Sequence, residues 1–269
     1  MKNKIQIDYP IAIFFFNRPS KLKVLLNRLN KYQFKKVYFF ADGARPMNKS
    51  DKENLETCKA LVEKYPLGLT NEYIYADNNL GCGKRIKTGL DLFFSMESFG
   101  FIFEDDVIPN KNFKFPSSEE IKNLHLTGVT HISLFNPLVS EKRFYSKSFF
   151  FIWGWGTWRE NWQFTNFNSE EKVFSLWKKS FRKMVFPINI AYVFPLLKVK
   201  RNIMDTWDLQ YSFVQLSQNG VSYIPEASLI ENIGFDEEAT HTAKNGKQIK
   251  IKGNSDMKLA LHYLMGKIL

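Results

Sequence analysis

The sequence predicts an α/β protein in which a mostly parallel central sheet is flanked by helices. Three observations predict it. Short apolar runs alternate with segments of helical period through the first half of the chain. Each apolar run ends in a polar or glycine-containing turn. The fourth run ends in three successive carboxylates, Glu104-Asp105-Asp106, a cluster that is costly to bury without a counter-charge.

The elements follow in order. Ile11 to Phe16 reads as a short strand, and Asn17-Arg18-Pro19-Ser20 as a turn with Ser20 a cap candidate. Lys21 to Tyr32 carries Leu22, Leu25, Leu26 and Leu29 at helical spacing. Val37 to Ala41 is a second strand, ended by Asp42-Gly43, and Lys52 to Tyr65 a second helix. Tyr73 to Ala76 is a third strand, followed by the loop Asp77-Asn78-Asn79-Leu80-Gly81 and a helix from Lys84 to Met96. Gly100 to Phe103 is the fourth strand, and Val107-Ile108-Pro109-Asn110 turns the chain away. Right-handed crossovers between such strands place their carboxyl ends along one edge. The second half is less regular. It holds a Trp/Gly cluster from Trp153 to Trp162, a basic aromatic segment, and a helix expected from Thr206 to Gln218. The character changes near residues 110–130, within one continuous domain expected to span 1–269. Its halves are 1–110, for ligand binding, and 111–269.

Composition bounds the rest. The 269 residues are 44% hydrophobic and include 26 Phe and 6 Trp, enough for one sizeable core. No run of 18 or more apolar residues predicts a transmembrane helix. The apolar run near the N-terminus is too short for a secretory signal and lacks a small-residue cleavage site, so a cytoplasmic location is expected. The two cysteines, Cys58 and Cys82, have no metal-ligand spacing and suit a reducing compartment as free thiols. A formal net charge of +11 draws the chain to anionic partners. The densest basic stretch runs from Trp177 to Arg201 with interleaved aromatics. It reads as a membrane-surface contact, as a single-stranded nucleic-acid contact, or as a helix with a basic face outside and an aromatic face in the core.

Carboxylates at the carboxyl end of a strand in an open α/β sheet stand where such sheets bind ligands. Hard oxygen donors suit Mg²⁺ or Mn²⁺, which keep waters and phosphate oxygens as their other ligands. For a nucleotide, Asp42 can accept a hydrogen bond from a ring N–H such as that of uracil. Arg18 can contact phosphate or stack on a base. The adjacent carboxylates can divide between ribose hydroxyls and a metal. Each has a plainer reading: a solvated acidic turn for the triplet, and an ordinary turn for Asp42-Gly43.

A resemblance sharpens these readings. Ile13-Phe14-Phe15-Phe16-Asn17-Arg18-Pro19, Ala41-Asp42-Gly43, Asn79-Leu80-Gly81-Cys82-Gly83 and Phe103-Glu104-Asp105-Asp106-Val107-Ile108-Pro109 together resemble a GT-A-type nucleotide-sugar glycosyltransferase. The likeness is to bacterial surface-polysaccharide glycosyltransferases. These are similar in turn to the inverting N-acetylglucosaminyltransferase that starts complex N-glycan branching. The resemblance implies a Rossmann-like GT-A sheet with a less regular acceptor-binding C-terminal half. It implies Asn17 and Arg18 at the first strand exit and Asp42 reading uracil. It also implies Glu104 and Asp105 on the ribose and donor sugar, with Asp106 on Mn²⁺ or Mg²⁺. Trp153-Gly154-Trp155-Gly156-Thr157-Trp158 resembles the loop lining the donor-sugar and acceptor pocket, with Trp155, Gly156 and Trp207 as its candidates. A Trp-rich core corner is the other reading of the loop. Met204-Asp205-Thr206-Trp207-Asp208 resembles the segment bearing the catalytic base, with Asp208 the first choice and Asp205 the second. One of the two can instead cap the following helix. Asn232-Ile233-Gly234-Phe235 and Ala239-Thr240-His241-Thr242 resemble a loop over the diphosphate, with Thr240 on phosphate and His241 on phosphate or the metal.

The activity implied is metal-dependent, inverting transfer of GlcNAc or a related hexose from a UDP-sugar to a glycan or lipid-linked glycan. It belongs to cell-surface polysaccharide synthesis at an anionic membrane face. Three other readings compete with it. A nucleotidyltransferase making nucleotide-sugars needs a Gly-rich triphosphate loop, and the first strand exits without glycine. A nucleic-acid module needs stacking or groove-insertion motifs that are absent, so nucleic acid is not an expected partner. A non-catalytic sugar-binding relative would not need both Asp106 and Asp208.

Overall fold

In the computed structural model, which describes residues 3–139, 143–163, 175, 178, 180, 181, 207–234 and 251–252, the chain alternates strand and helix from the start. The first half runs β1 (Ile5–Ile7), β2 (Ile11–Phe15), α1 (Pro19–Leu29), β3 (Tyr32–Ala41), α2 (Lys49–Lys64), β4 (Gly68–Tyr75), α3 (Cys82–Met96), β5 (Phe99–Glu104) and β6 (Val107–Pro109). Then come α4 (Ser118–Leu126), β7 (His131–Ser133), β8 (Leu138–Val139), β9 (Phe144–Ser146), β10 (Trp155–Trp158) and α5 (Arg159–Gln163). The helix Asp208–Ser217, here α6, is followed by β11 (Ser222–Ile224), β12 (Ile230–Asn232) and β13 (Ile251–Lys252).

Alternate residues of β2 enter two different cores, which is why the sheet is sandwiched. Ile11, Ile13 and Phe15 pack with Leu22, Leu25, Leu26 and Leu29 of α1 and with Leu55 and Val62 of α2. Ala12 and Phe14 pack with Ile86, Leu90 and Phe93 of α3 and with Leu209, Phe213 and Leu216 of α6. A strand buried on both faces reads as a continuous apolar run, the signature of a parallel sheet covered by helices. The central sheet runs β4-β3-β2-β5-β10-β7-β11-β9, with β1 pairing the start of β3. Every pairing from β4 through β5 is parallel. β10 is antiparallel to both β5 and β7, while β11 is parallel to β7. This is the mixed α/β, mostly parallel architecture that the sequence predicts.

Several boundaries differ from expectation: β4 begins at Gly68, five residues before Tyr73, and Val107–Pro109 is a short strand, β6, paired with β12. α1 stops at Leu29, and Tyr32 opens β3 instead of closing the helix. The first residues of β3 pair with β1, and the Tyr32 hydroxyl donates to the Phe113 carbonyl. Both partners are remote in sequence, so helical spacing could not reveal them. The Trp/Gly cluster becomes β10, an internal strand whose Trp155 stands opposite Ile102 of β5 and Ser133 of β7. Both cysteines are free: Cys58 is buried and Cys82 is half-buried at the start of α3. Among the described residues no helix is long and apolar enough to cross a membrane.

Candidate functional site

Parallel pairing of β2, β3 and β5 sets their carboxyl ends side by side, so three sequence-distant polar segments meet on one edge. β2 exits into Asn17 and Arg18, β3 into Asp42, and β5 into Glu104-Asp105-Asp106.

At the β5 corner the guanidinium of Arg18 is the counter-charge. Its Nη1 donates to Asp106 Oδ2 at 2.9 Å, its Nε to Asp105 Oδ2 at 3.3 Å, and its Nη2 to Asp105 Oδ1. The Asp105 side chain is only 2% exposed, against 17% for Arg18 and 14% for Asp106. Burial pulls the Arg18 guanidinium down, and the facing Asp105 and Asp106 carboxylates more than reverse that. Burial pushes the Asp105 carboxyl up while Arg18 holds it back. Burial also raises the Glu104 carboxyl, and the charge on Asp106 adds to it. Arg18 opposes these effects, and Asp105 and Asp208 contribute further repulsion. That last influence places Asp208, at the first turn of α6, in the electrostatic neighbourhood of Glu104.

Asp106 is also met from above. β12 pairs with β6, the Ile233 N–H donates to the Asp106 backbone carbonyl, and an ideal Cβ on Gly234 would overlap Asp106 Oδ2. A larger residue at 234 would have to displace that carboxylate. The segment Asn232-Ile233-Gly234, which resembles a diphosphate loop, thus begins on the acidic edge.

At the β3 corner Asp42 is buried and accepts four hydrogen bonds. Its Oδ1 takes the N–H groups of Gly43 and Leu80 at 2.9 and 2.8 Å. Its Oδ2 takes Gly81 N–H and Asn79 Nδ2 at 3.0 and 3.2 Å. The loop into α3 hangs on this carboxylate, and Gly81 meets it at φ 79°, a left-handed conformation that glycine adopts without strain. Asn17 is likewise engaged: its Nδ2 donates to Asp51 Oδ1 at 2.6 Å. Asp51 is fully buried and also pairs with Arg45, whose guanidinium lies 5.7 Å over the Phe16 ring. The sequence reading passed over Asp51 and Arg45. The available signal was an acidic residue in the first turn of α2, three positions after the cap Asn48.

The rings expected to line a pocket are core residues. Trp155 and Trp207 are 1% and 5% exposed, with centroids 5.6 Å apart, and pack with Trp162 and Tyr211. Gly156 faces the Phe101 ring. Trp155 and Trp207 are covered by neighbouring side chains, the core-corner reading of this cluster. Beside them His131 is fully buried and neutral. Its Nε2–H donates to the Phe151 carbonyl and its Nδ1 accepts from the Tyr211 hydroxyl, at 2.9 and 3.0 Å. Burial lowers its pKa to about 3, and the Phe151 bond opposes this. Tyr211 lies one turn after Asp208, so this network fixes the start of α6. Asp205, Thr240, His241 and nearly all of the segment from Trp177 to Arg201 lie outside the described residues.

No family model and no curated protein matches the chain. Among solved structures it is similar to a mannosyltransferase, PcManGT, from Pyrobaculum calidifontis in complex with GDP-Man and Mn²⁺. That likeness has 9% identity and a TM-score of 0.35, over 80% of this chain and 70% of the other. At that level it carries no functional argument.

The donor set tests whether a metal fits. Among the described residues no three His, Cys, Asp or Glu side chains stand together as a chelating group. Mg²⁺ and Mn²⁺ commonly bind through one or two carboxylates with phosphate oxygens and waters, and need no such group. Asp106 fits that mode: a hard oxygen donor at the sheet edge, partly exposed, and repelled by further carboxyl groups that one guanidinium does not balance.

Proposed function

We propose that the chain is a glycosyltransferase that uses a nucleotide-sugar donor. The observation that carries this reading is the Arg18 guanidinium bonded to Asp105 and Asp106 beside Glu104 at the carboxyl edge of a parallel sheet, with the charge of Asp208 acting on Glu104. The motif resemblance supports it independently.

In this reading Asp106 holds Mn²⁺ or Mg²⁺ together with the donor diphosphate, and the ion supplies charge neutralisation for the leaving group. Glu104 faces the donor ribose or sugar. Asp105 acts through Arg18 and not by contact, since its carboxylate is turned inward. Asn17 and Asp42 border the base, with Asp42 also fixing the loop from Asn79 to Gly81. Thr240 and His241 complete the diphosphate contacts. Asp208, with Asp205 as second choice, takes the proton from an acceptor hydroxyl. The hydroxyl oxygen bonds to the anomeric carbon as the bond to the diphosphate breaks on the opposite face, which inverts the configuration. The motif resemblance favours UDP as the nucleotide, although the Asp42 carboxylate already accepts four protein donors. It also favours GlcNAc or a related hexose as the sugar, and a glycan or lipid-linked glycan of a bacterial surface polysaccharide as acceptor. The net charge of +11 suits peripheral contact with the cytoplasmic face of an anionic membrane.

Calorimetric titration of UDP, GDP and CMP, with and without Mn²⁺, tests the reading on wild type and Asp106→Ala. UDP alone should bind, only with metal, and the variant should lose binding. Failure of every nucleotide to bind the wild type would overturn it.

A further inference from the structure

Arg18 makes its three bonds unequally. Two go to Asp105, which is buried, and one goes to Asp106, which reaches the surface. The guanidinium is therefore anchored on Asp105 and only leans on Asp106. The Asp106 oxygen that it holds is Oδ2, which also lies close to Gly234. A cation seeking that oxygen meets a positive charge already seated there.

We propose that Arg18 is a built-in counter-ion that competes with a divalent cation for Asp106, so that the edge rejects a free cation and admits one carried by a diphosphate. The proposal rests on the reading of Asp106 as the cation ligand. A free dication brings two positive charges against a guanidinium and offers that guanidinium nothing in return. A diphosphate brought with the cation offers acceptor oxygens in the fork geometry that guanidinium groups favour. Arg18 can then release Asp106 for phosphate oxygen while keeping both bonds to Asp105. No backbone has to move, because the bond exchanged belongs to one nitrogen of a long side chain. Arg18 is thus a positioning residue that couples cation binding to anion binding. The chain also folds with its acidic edge partly neutralised in the absence of metal.

The test is Mn²⁺ binding to the full chain without nucleotide, read from the free-Mn²⁺ electron paramagnetic resonance signal. Removing the guanidinium charge in Arg18→Gln should tighten Mn²⁺ binding by about tenfold or more, while Arg18→Lys, which keeps the charge, should stay within about threefold of wild type. Adding Asp106→Asn to Arg18→Gln should abolish the gain. Equal or weaker Mn²⁺ binding in a folded Arg18→Gln protein overturns the proposal, as does a gain that survives loss of Asp106. A wild-type measurement covers the case in which the variant does not fold. Mg²⁺ alone should leave the Arg18 Nη1–H nuclear magnetic resonance signal, which reports the bond to Asp106, in place, and Mg²⁺ with UDP should shift it. A shift with Mg²⁺ alone overturns the proposal. The two readings fail separately: wild type that binds no nucleotide sinks the donor assignment, whereas the Mn²⁺ gain in Arg18→Gln needs no nucleotide.

Discussion

The β3 and β5 corners of the sheet edge both hold buried carboxylates, and they hold them in opposite ways. Asp42 is met by three backbone N–H groups and one side-chain amide, all from its own corner or the loop into α3. Asp105 and Asp106 share one guanidinium on a rotatable stem, and the buried Asp105 takes one further bond from the backbone at Phe16. Neutral donors fixed in a backbone cannot leave unless the loop unfolds. A side-chain cation can leave by rotation. The first corner is therefore architecture, and the second is exchangeable. The difference teaches where to look for a ligand: at the carboxylate whose partner can depart, not at the one with the most hydrogen bonds.

The largest expected effect breaks or upholds the first half of that comparison. Asp42→Ala strands the Leu80 and Gly81 N–H groups, and should cost about 3 kcal/mol of stability by urea denaturation. A loss no greater than that of an ordinary surface substitution would show that the loop stands without Asp42.

A second fixed polar site sharpens the comparison through pH. The His131 pKa falls from an ordinary 6.5 to about 3 on folding, so between those values the unfolded chain binds the extra proton. The stability due to neutral His131 is complete above pH 6.5 and is lost as pH falls below it, by about 1.4 kcal/mol per pH unit. Urea titrations at pH 7, 6 and 5 should show that slope in wild type and a slope shallower by that amount in His131→Phe. Equal slopes would mean that His131 takes up its proton without leaving the fold.

The smallest effect tests the exchangeable corner. Asp106→Ala should cost about 1 kcal/mol, because Arg18 keeps its two bonds to Asp105 and Asp106 reaches solvent. A loss as large as that of Asp42→Ala would make the β5 corner as rigid as the β3 corner, and the comparison would fail.

Legibility in the sequence follows the range of the forces involved. The strands β2, β4 and β5 and the helices α1, α2 and α3 were readable, within a few residues, from apolar runs and from leucines at helical spacing. β1 was not, since three residues carry no period and gain strand form only by pairing with Tyr32 to Phe34. β10 was not, since Trp155-Gly156-Thr157-Trp158 is buried at every position and does not alternate. At the site, the positions of Arg18, Asp42 and the acidic triplet on one edge were legible, because parallel strands with helical crossovers align their carboxyl ends. The partners were not. Asn79 to Gly81 reach Asp42 from across α2 and β4, and Arg18 reaches Asp105 across three helices and three strands. A contact between residues that far apart leaves no spacing to read.

By itself, then, the sequence determined the fold class, the order of the first elements and which polar residues would share an edge. Those depend on periodicity and on the handedness of chain crossovers, and both act locally. Only the tertiary structure decided which carboxylate is locked and which can exchange its partner. It also decided that Trp155 and Trp207 fill the core, and that residue 234 lies against the Asp106 carboxylate. Burial, hydrogen-bond saturation and steric exclusion are set by atoms brought together from the whole chain, and they exist only once it has folded.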